Sequence, residues 1–417
     1  MAPKRYAIVG TGHRAEGMFA RPLHEDFPET AELVALCDPN PLRMGAVAAG
    51  LSGEVATFTE FDAMMRAAQP DALVVTSRDA THAHYVVAAL DAGVRAISEK
   101  ALCTTAEQCR AILAAASRSS AVCRVTHNAR YGAADRQIRD LLRSGRIGTP
   151  LFMQFDETLD RCHGADYFRR WHRYMANSGG LLIHKASHHF DCINWWADSK
   201  PAWVSAQGRL AFYGKNGSVR GERCRGCPHA ENCDFYADFF QRERYRKLYF
   251  EAESADGYHR DGCVFAEDID ICDQMAVLIR YQSGLEVSYT LAAYSPYESQ
   301  RVVVEGTKGR LEYFGRSSTG FALGGKHLPG IEQIAAEQLT LYLPAEGVVE
   351  VPITRQTGSH GGADPQLRAE FFGRPWDAEP TEQMASVEEA VQAVLIGAAA
   401  NQSIETSEPV AVQELLD

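Results

Sequence analysis

The sequence lacks both an excess of positive charge and any long hydrophobic run. Its 54 acidic residues outnumber its 42 lysines and arginines, and the formal net charge is −12. An acidic chain is repelled by a phosphate backbone, which argues against nucleic acid as a partner. No apolar run reaches the roughly 20 residues that a membrane-spanning helix needs. We therefore expect neither a nucleic acid nor a membrane among the partners of this protein.

The sequence also lacks the features of a secreted, disulfide-bonded protein. Its first apolar stretch, Tyr6 to Val9, is as short as a strand, whereas a signal peptide has a longer apolar core. The eleven cysteines are an odd number, and most lie singly in apolar contexts such as Leu36-Cys37. Reduced thiols in the cytoplasm fit this distribution better than a disulfide framework does. We therefore expect a cytoplasmic protein.

The pattern of elements changes near residue 128, and the length of 417 residues favours about two domains. Before this point, short apolar strands alternate with amphipathic helices, which is typical of a doubly wound parallel sheet in an α/β fold. After it, the strand-like runs predict an α+β domain, 128–417, with a mostly antiparallel open sheet. This domain contains a Cys-bearing insertion at 213–270 and ends in a helix and a strand within 385–417. A broad sheet of this kind can bury an interface between copies, so we expect a homodimer or higher homo-oligomer.

A glycine-rich turn follows the first predicted strand, Arg5–Val9. Gly10 and Gly12 let the backbone approach a pyrophosphate, and the helix that follows supplies unpaired N–H groups. His13 and Arg14 belong to the same turn. A tight turn that binds nothing can have the same pattern, so the motif depends on its context.

The second predicted strand ends at an acidic residue, Asp38, which lies 26 residues after Gly12. A ribose-binding carboxylate is expected at a spacing of about 20 residues. A carboxylate at this position would repel a 2′-phosphate and so favours NAD, although Arg43 leaves NADP open. The alternative for Asp38 is a helix cap within Asp38-Pro39-Asn40. We predict that residues 1–127 form a Rossmann domain that binds NAD.

Four motifs together resemble the Gfo/Idh/MocA family of sugar oxidoreductases over almost the whole chain. They are Gly10-x-Gly12, Ser77 to His82, Glu99 to Leu102, and Asn128 to Tyr131 followed by Gly145 to Gly148. The resemblance implies that the cofactor contacts lie in these motifs and at the acid after the second strand. The residues concerned are Gly10, Gly12, His13, Arg14, Asp38, Ser77, His82, Glu99, Lys100 and Asn128.

A fifth family motif, Gly-Gly-x-Leu-x-Asp-x-Gly-x-His-x-x-Asp, is altered in residues 179–191. His188 and Asp191 match it, and the resemblance implies that His188 accepts a proton from the substrate. His184 stands in place of the family's aspartate, and Lys185 adds an amine. Core packing is one alternative for these residues, and a metal site formed by His184, His188 and Asp191 is another.

The altered motif predicts several acid/base groups. Histidine titrates near neutrality, and a lysine does so when it is buried or lies beside other cations. The positive charge of NAD is therefore expected to lower the pKa of Lys100 and Lys185. The predicted catalytic residues are Lys100, Tyr131, His184, Lys185 and His188.

A simple dehydrogenase needs one good base, so this surplus suits a longer series of proton transfers. The variant motif resembles a branch of the family that uses tightly held NAD to cleave glycosides, including sulfoquinovosides. The resemblance implies oxidation at C3, elimination of the aglycone, hydration and reduction, with no net redox change. The alternatives are a sugar dehydrogenase that uses NAD or NADP, a non-catalytic NAD-binding regulator, and a zinc-dependent hydrolase.

Contacts to the sugar are predicted in the segment before Gly179 and in a later glycine-flanked turn. Arg169 and Arg173 can bind the carboxylate or sulfonate of an anionic sugar through two hydrogen bonds, and Trp171 can stack on a sugar face. His189 and His360 are further candidates. A solvated surface turn is the alternative for these segments.

The insertion contains a cysteine cluster. Cys224, Cys227 and Cys233 lie close together in the sequence, and Cys263 follows. Thiolates at such spacing can share one tetrahedral zinc, which would brace a loop-rich segment. Reduced thiols in a packed loop are the alternative.

Overall fold

The computed structural model describes residues 2–316, 328–354 and 356–417. The strands in these ranges are β1 (Lys4–Val9), β2 (Ala31–Cys37), β3 (Ala56–Phe58), β4 (Ala72–Val75), β5 (Arg95–Ser98), β6 (Cys123–Val125), β7 (Pro150–Asp160), β8 (Pro201–Arg209), β9 (Gln274–Tyr281), β10 (Glu286–Ser295), β11 (Ser299–Gly306), β12 (Gly309–Arg316), β13 (Glu337–Leu343), β14 (Gly347–Glu350), β15 (Ala385–Ser386) and β16 (Val410–Ala411).

The α-helices in the same ranges are α1 (Arg21–Glu25), α2 (Pro41–Ala48), α3 (Phe61–Ala68), α4 (Asp79–Asp91), α5 (Ala106–Arg118), α6 (Ala133–Arg143), α7 (His163–Arg169), α8 (Met175–Ser178), α9 (Leu181–His184), α10 (Ser187–Ala197), α11 (Glu243–Tyr245), α12 (Glu253–Asp256), α13 (Ala363–Phe372) and α14 (Val387–Thr406). A π-helical turn, Ala15–Ala20, leads into α1. Over the described ranges, none of the helices combines the length and the apolar character needed to cross a bilayer.

The chain forms two compact units that differ from a simple division at residue 127. One unit comprises 1–131, 238–260 and 357–391, and the other comprises 132–237, 261–356 and 392–417. Two segments that we assigned from the sequence to the second domain thus pack within the first unit. Local patterning does not show this, because the placement of such a segment depends on contacts with residues far away in the chain.

The first unit contains the predicted doubly wound sheet. Its strand order is β15-β6-β5-β4-β1-β2-β3; β1 to β6 are parallel, and β15 pairs antiparallel with β6. Strands of a parallel sheet that is covered on both faces are apolar throughout, and all four residues of β4 are buried. The chain reverses its direction of winding between β1 and β4, which is the position where such sheets bind ligands.

The second unit contains a nine-stranded sheet in the order β14-β13-β12-β11-β7-β10-β9-β8-β16. All neighbouring strands are antiparallel except β7 and β10, which confirms the mostly antiparallel sheet predicted from the sequence. Buried and more exposed positions alternate along β9 from end to end, as expected for a sheet with one covered face.

A close helix crossing in the second unit positions the glycine turn at 179–180. A Cβ on Gly397 of α14 would lie 2.5 Å from the Leu182 carbonyl oxygen, so α14 needs glycine where it passes α9. Further along α14, Asn401 Nδ2 donates to the Gly179 carbonyl at 2.8 Å. These contacts hold the start of the segment that carries His184 and Lys185.

Candidate active site

The predicted cofactor residues follow successive strands of the first sheet. The carboxyl ends of parallel strands meet at one edge, so these residues lie along a single edge of the first unit. They are Gly10 and Gly12 after β1, Asp38 after β2, Ser77 after β4, Glu99 and Lys100 after β5, and Asn128 after β6.

The two glycines of the first turn have different requirements. Gly10 has φ +88°, and a Cβ there would lie 2.5 Å from the Ser77 backbone, so the fold itself needs glycine. At Gly12 the nearest atom to an added Cβ is Tyr249 Oη at 3.7 Å, an ordinary contact. The protein therefore has room for a methyl group at residue 12. We predict that glycine is needed there for the close approach of a ligand.

Asp38 is buried and held in place at the end of β2. Its Oδ2 accepts from the Thr11 backbone N at 2.7 Å and from Thr11 Oγ1 at 3.0 Å, and its Oδ1 accepts from Asn40 N at 2.9 Å. Asn40 caps α2 with its own side chain, so the helix cap is Asn40 and not Asp38. Arg43 forms ion pairs with two carboxylates: its Nη1 lies 3.6 Å from Asp38 Oδ1, and its Nη2 lies 2.7 Å from Asp256 Oδ2. The carboxylate that we predict to bind the ribose is thus fixed at the end of β2.

We expect Asp38→Asn to raise the ratio of NADP affinity to NAD affinity by about 10-fold or more, because each 1.4 kcal/mol of lost repulsion changes affinity tenfold. Fluorescence titration of the purified variant with both nucleotides measures this ratio. Asp62→Asn, an exposed aspartate in the first turn of α3, is the control for loss of one negative charge. An unchanged ratio in Asp38→Asn would contradict the assigned role of Asp38.

A network of polar side chains joins the turn after β1 to the turns after β5 and β6. Arg14 Nε donates to Glu99 Oε1 at 2.6 Å, and Arg14 also contacts Asp364 at 3.5 Å. Asn128 Nδ2 donates to Asp364 at 2.9 Å, and His360 Nδ1 lies 2.7 Å from the same carboxylate. Burial raises the pKa of Asp364, but hydrogen bonding by His360 and the charge of Arg14 hold it well below its usual range. Asp364 thus connects residues that we predicted separately.

His82 and Tyr131 are both buried and contact other parts of the first unit. His82 Nδ1 donates to the Ala101 carbonyl at 2.7 Å, and its Nε2 lies 3.1 Å from the Ser77 carbonyl, so the ring joins two of the predicted cofactor turns. Tyr131 belongs to the hydrophobic core of the first unit. Burial and the Glu370 carboxylate raise the pKa of Tyr131 well above its usual value. That Tyr131 is a catalytic acid/base group stays a prediction, and its place in the core does not support it.

The second unit holds a buried ion pair between Lys185 and Glu157. Lys185 Nζ lies 3.0 Å from Glu157 Oε1, and both side chains are less than one-tenth exposed. Burial alone lowers the pKa of Lys185, but the carboxylate of Glu157 outweighs this effect and raises the pKa well above its usual value. The facing carboxylate, which the sequence did not reveal, thus acts against the expected shift toward neutrality. The pairing favours the ammonium form of Lys185.

Two adjacent histidines lie beside this pair. His189 Nε2 is 3.7 Å from Glu157 Oε2, and its Nδ1 is 2.9 Å from Tyr289 Oη. The His188 ring stacks on the His189 ring at a centroid distance of 4.4 Å. His189 is 3% exposed and lies within the buried cluster, which does not support its predicted contact with substrate. His188 is half-buried.

His184 lies in a group of aromatic rings. Its ring contacts Tyr167, Trp171 and His172 edge to face, at centroid distances of 5.3, 5.8 and 4.1 Å. Trp171 is half-buried and stacks on His172. His184 therefore borders Tyr167, whose pKa burial raises to about 12.

Arg169 and Arg173, which we predicted to bind substrate, form hydrogen bonds and an ion pair within the protein. Arg169 is 2% exposed and donates to Cys224 Sγ at 3.0 Å and to the Phe235 carbonyl. Arg173 pairs with Asp268 and donates to the Cys263 carbonyl at 3.4 Å. Both arginines thus have partners in the insertion, which does not support binding of an anionic sugar; that role stays a prediction.

The predicted zinc site is not formed. In the described part of the chain, no three His, Cys, Asp or Glu side chains are arranged to hold a metal ion, and Cys224, Cys227, Cys233 and Cys263 are free thiols. The same finding argues against a metal at His184, His188 and Asp191. Arg169 contacts the Cys224 sulfur at 3.0 Å, where a zinc would need a thiolate directed at the metal.

Glu157 is the main functional residue that we missed in the sequence. It lies on β7, where Met153, Phe155 and Leu159 occupy the other buried positions of the same face. A charged residue in the apolar phase of an alternating strand is a signal that sequence alone offers. We also missed two linked hydrogen bonds at His163. Tyr167 Oη donates to His163 Nε2 at 2.8 Å, and His163 Nδ1 donates to Glu298 at 2.9 Å.

Known proteins resemble this chain along its whole length. The profile of the Oxidoreductase family, NAD-binding Rossmann fold, matches residues 4–127, and that of the Oxidoreductase family, C-terminal alpha/beta domain, matches residues 139–412. The YteT protein of Bacillus subtilis (strain 168) is 32% identical over 432 aligned residues, which cover 99% of this chain and 98% of that protein.

Two further similarities concern an enzyme and a solved structure. D-glucoside 3-dehydrogenase of Escherichia coli (strain K12) is 27% identical over 190 residues, which cover 46% of this chain and 53% of that enzyme. The crystal structure of an oxidoreductase from Agrobacterium radiobacter in complex with NAD+, L-tartaric acid and magnesium has a TM-score of 0.68 at 16% identity and covers 99% of each chain; this is a likeness of fold. The two matching domain profiles and the full-length similarity to YteT show that this chain belongs to the Gfo/Idh/MocA family of NAD-binding oxidoreductases.

Proposed function

We propose that this protein is an NAD-dependent enzyme that acts on a pyranose glycoside and cleaves it without net oxidation. The observation that supports this proposal best is the buried acid/base cluster of Glu157, Lys185, His188 and His189 in the second unit. A single oxidation of a carbinol needs one base. A cleavage that passes through a ketone needs several proton transfers, and this cluster contains both proton donors and proton acceptors.

The relatives support a sugar substrate. The name of the Escherichia coli relative places its reaction at C3 of a glucoside. We propose the same ring position here, where bound NAD supplies first the acceptor and finally the donor of the hydride at the carbinol carbon. A ketone at C3 makes the proton on C2 acidic, so the aglycone at C1 can leave by elimination.

In this proposal Lys185 and His188 have separate roles. Lys185 keeps its proton on Nζ because Glu157 stabilises the cation, so it donates a hydrogen bond to a sugar oxygen as that oxygen gains negative charge. His188, whose ring stacks on that of His189, is proposed to take the proton from carbon or oxygen at a ring nitrogen. Lys100, after β5, stays a proposed proton acceptor in the first unit, on the basis of the family motif.

The proposed reaction is balanced. The base removes the C2 proton, the C1–O bond breaks, and the aglycone leaves as an alcohol after it receives a proton. Water then adds at C1, and a proton returns to C2. Glycoside and water are consumed, sugar and aglycone are formed, and NAD is unchanged overall.

We expect cleavage in D₂O to place deuterium at C2 of the released sugar, while NADH absorbance does not accumulate. The physical reason is that the C2 proton exchanges with solvent when C2 is deprotonated. A panel of phenyl and alkyl glycosides in both anomeric forms, analysed by mass spectrometry and NMR, provides the measurement. NADH that accumulates with an intact glycoside would identify a sugar dehydrogenase instead, and cleavage without label at C2 would rule out elimination.

The predictions of the sugar's charge and of the oligomeric state are based on the sequence alone. Arg169 and Arg173 no longer support an anionic substrate, so we propose a glycoside and leave its charge to the substrate panel. A homo-oligomer and a cytoplasmic location stay predictions. Trp203 and Leu278, on adjacent strands of the second sheet, are 48% and 60% exposed, which is consistent with a surface that a second copy covers.

A further inference from the structure

One segment of the insertion, 238–260, belongs to the first unit and packs against the dinucleotide turn. We call this segment the strap. Leu248 is its buried anchor: it is 2% exposed and lies in the same hydrophobic cluster as Met44 and Val47 of α2. Close to this anchor, Asn40 Nδ2 donates to the Ala252 carbonyl at 3.0 Å. The strap is therefore fastened beside Asp38, at the end where the ribose of a dinucleotide is expected.

The strap also contacts the glycine turn itself. Tyr249 Oη accepts a hydrogen bond from the His13 backbone N at 3.0 Å, and the Tyr245 ring stacks on the His13 ring. Arg244 pairs with Glu16 at 2.6 Å and donates to the His13 carbonyl at 3.1 Å. The strap thus meets both the amide and the carbonyl of His13.

A third set of contacts lies at Arg43. Arg43 Nη2 donates to Asp256 at 2.7 Å, and its Nε donates to the Leu248 carbonyl at 3.2 Å. The guanidinium lies 5.8 Å from the ring centres of both Tyr249 and Tyr258. Hydrogen bonds and ring contacts therefore tie Arg43, which also pairs with Asp38, to the strap.

The contact at His13 has a direct consequence for the cofactor. In a glycine turn of this type, backbone N–H groups hold the pyrophosphate. The His13 N–H is one of these donors, and here it is bound to the hydroxyl of Tyr249. A bound dinucleotide has to share or replace this contact, so the strap and the cofactor respond to each other.

We propose that the strap is part of the NAD site and has to open for NAD to enter or leave, so that NAD stays bound through many turnovers. Tyr249 and Arg244 are the residues that close it over the turn, and Arg43 with Asp256 holds its other end. This inference deepens the proposed function, and of that proposal it rests only on the binding of NAD. It does not depend on whether a glycoside is cleaved.

The test is the rate of NAD exchange in the full-length protein. NAD+ is loaded, free nucleotide is removed by gel filtration, and release is followed by chasing radiolabelled NAD+ with unlabelled NAD+; stopped-flow fluorescence gives the association rate. We expect the double variant Tyr249→Phe/Arg244→Ala to accelerate both association and release by about 10-fold or more, since 1.4 kcal/mol of lost closure corresponds to tenfold. Arg246→Ala is the matched control, because Arg246 pairs with Glu251 within the strap.

The same variants give a readout that needs no catalysis. Trypsin cleaves after Arg242, Arg244, Arg246 and Lys247, which lie in the strap. We expect NAD to slow cleavage at these sites in the wild type, and the variant to be cleaved faster at Arg242, Arg246 and Lys247. Three outcomes would overturn the proposal: exchange as fast in the wild type as in the double variant, acceleration of release alone, or no protection of the strap by NAD. A failure to cleave glycosides would leave these rates unaffected.

Discussion

Replacing Lys185 with methionine is expected to lower kcat by about 10³-fold, within the range lost when one hydrogen-bond donor to a developing oxyanion is removed. The methionine keeps most of the volume of the side chain but removes the cation that we propose to bind the sugar oxygen. NAD affinity should change little, because the residues that we assign to NAD binding lie in the first unit. Steady-state kinetics with the best glycoside of the panel, together with NAD titration, measures both effects.

Lys200→Met is the control, since Lys200 is an exposed lysine of the second unit. Removing one partner of a buried pair also destabilises a protein by about 3–5 kcal/mol, so a melting curve has to show that Lys185→Met is folded. Activity of the folded variant close to that of the wild type would show that Lys185 is structural.

Glu157→Gln separates a positioning role from simple packing. The carboxylate raises the pKa of Lys185, so in the wild type the alkaline loss of the ammonium lies above its ordinary range. Without the anion, burial lowers the pKa, and the alkaline limb of the kcat profile should move to lower pH. An unmoved limb in an active Glu157→Gln variant would contradict the assignment of Lys185 as the proton donor.

Gly12→Ala is expected to weaken NAD binding by about 100-fold while the protein keeps its stability. The structure has space for the added methyl group, whose nearest neighbour would be Tyr249 Oη at 3.7 Å. The pyrophosphate, by contrast, needs the close backbone approach that glycine allows. Calorimetric titration and thermal melting of the same sample give the two quantities.

Gly45→Ala is the matched control, because no atom lies within 4 Å of an added Cβ at this position in α2. It should leave NAD binding unchanged and stabilise the protein by about 0.5–1 kcal/mol. Gly10→Ala should instead disturb folding, since its Cβ would lie 2.5 Å from the Ser77 backbone. Normal NAD binding by Gly12→Ala would show that this turn does not hold the pyrophosphate.

A bound nicotinamide fits both outcomes that we weigh. In a net oxidation NAD is a co-substrate that exchanges in every cycle, and in a redox-neutral cleavage it returns to its starting state. The strap favours slow exchange, and Lys185 and His188 allow more than one proton transfer. The position of deuterium in the released sugar distinguishes the reactions, whereas the presence of NAD does not.

The edge of the first unit that carries the predicted cofactor residues could be predicted from the sequence alone. Gly10, Asp38, Ser77, Glu99 and Asn128 each follow a strand that is apolar enough to be read locally. Parallel strands place the residues that follow them at the same edge of the sheet. Residues that are far apart in the sequence therefore lie close together in space. The short strands β3 and β15, of three and two residues, carry too little pattern to be detected.

The remaining contacts could not be predicted from the sequence, because they join residues that no local pattern connects. Asp364 meets Asn128 across 236 positions, and Arg244 meets Glu16 across 228. The pairing of Glu157 with Lys185 acts against the expected change in the Lys185 pKa. The contact of Arg169 with Cys224 gives two predicted ligand residues a partner within the protein. The reason is physical: the charge state and availability of a buried side chain depend on the group that faces it, and packing brings that group from elsewhere in the chain.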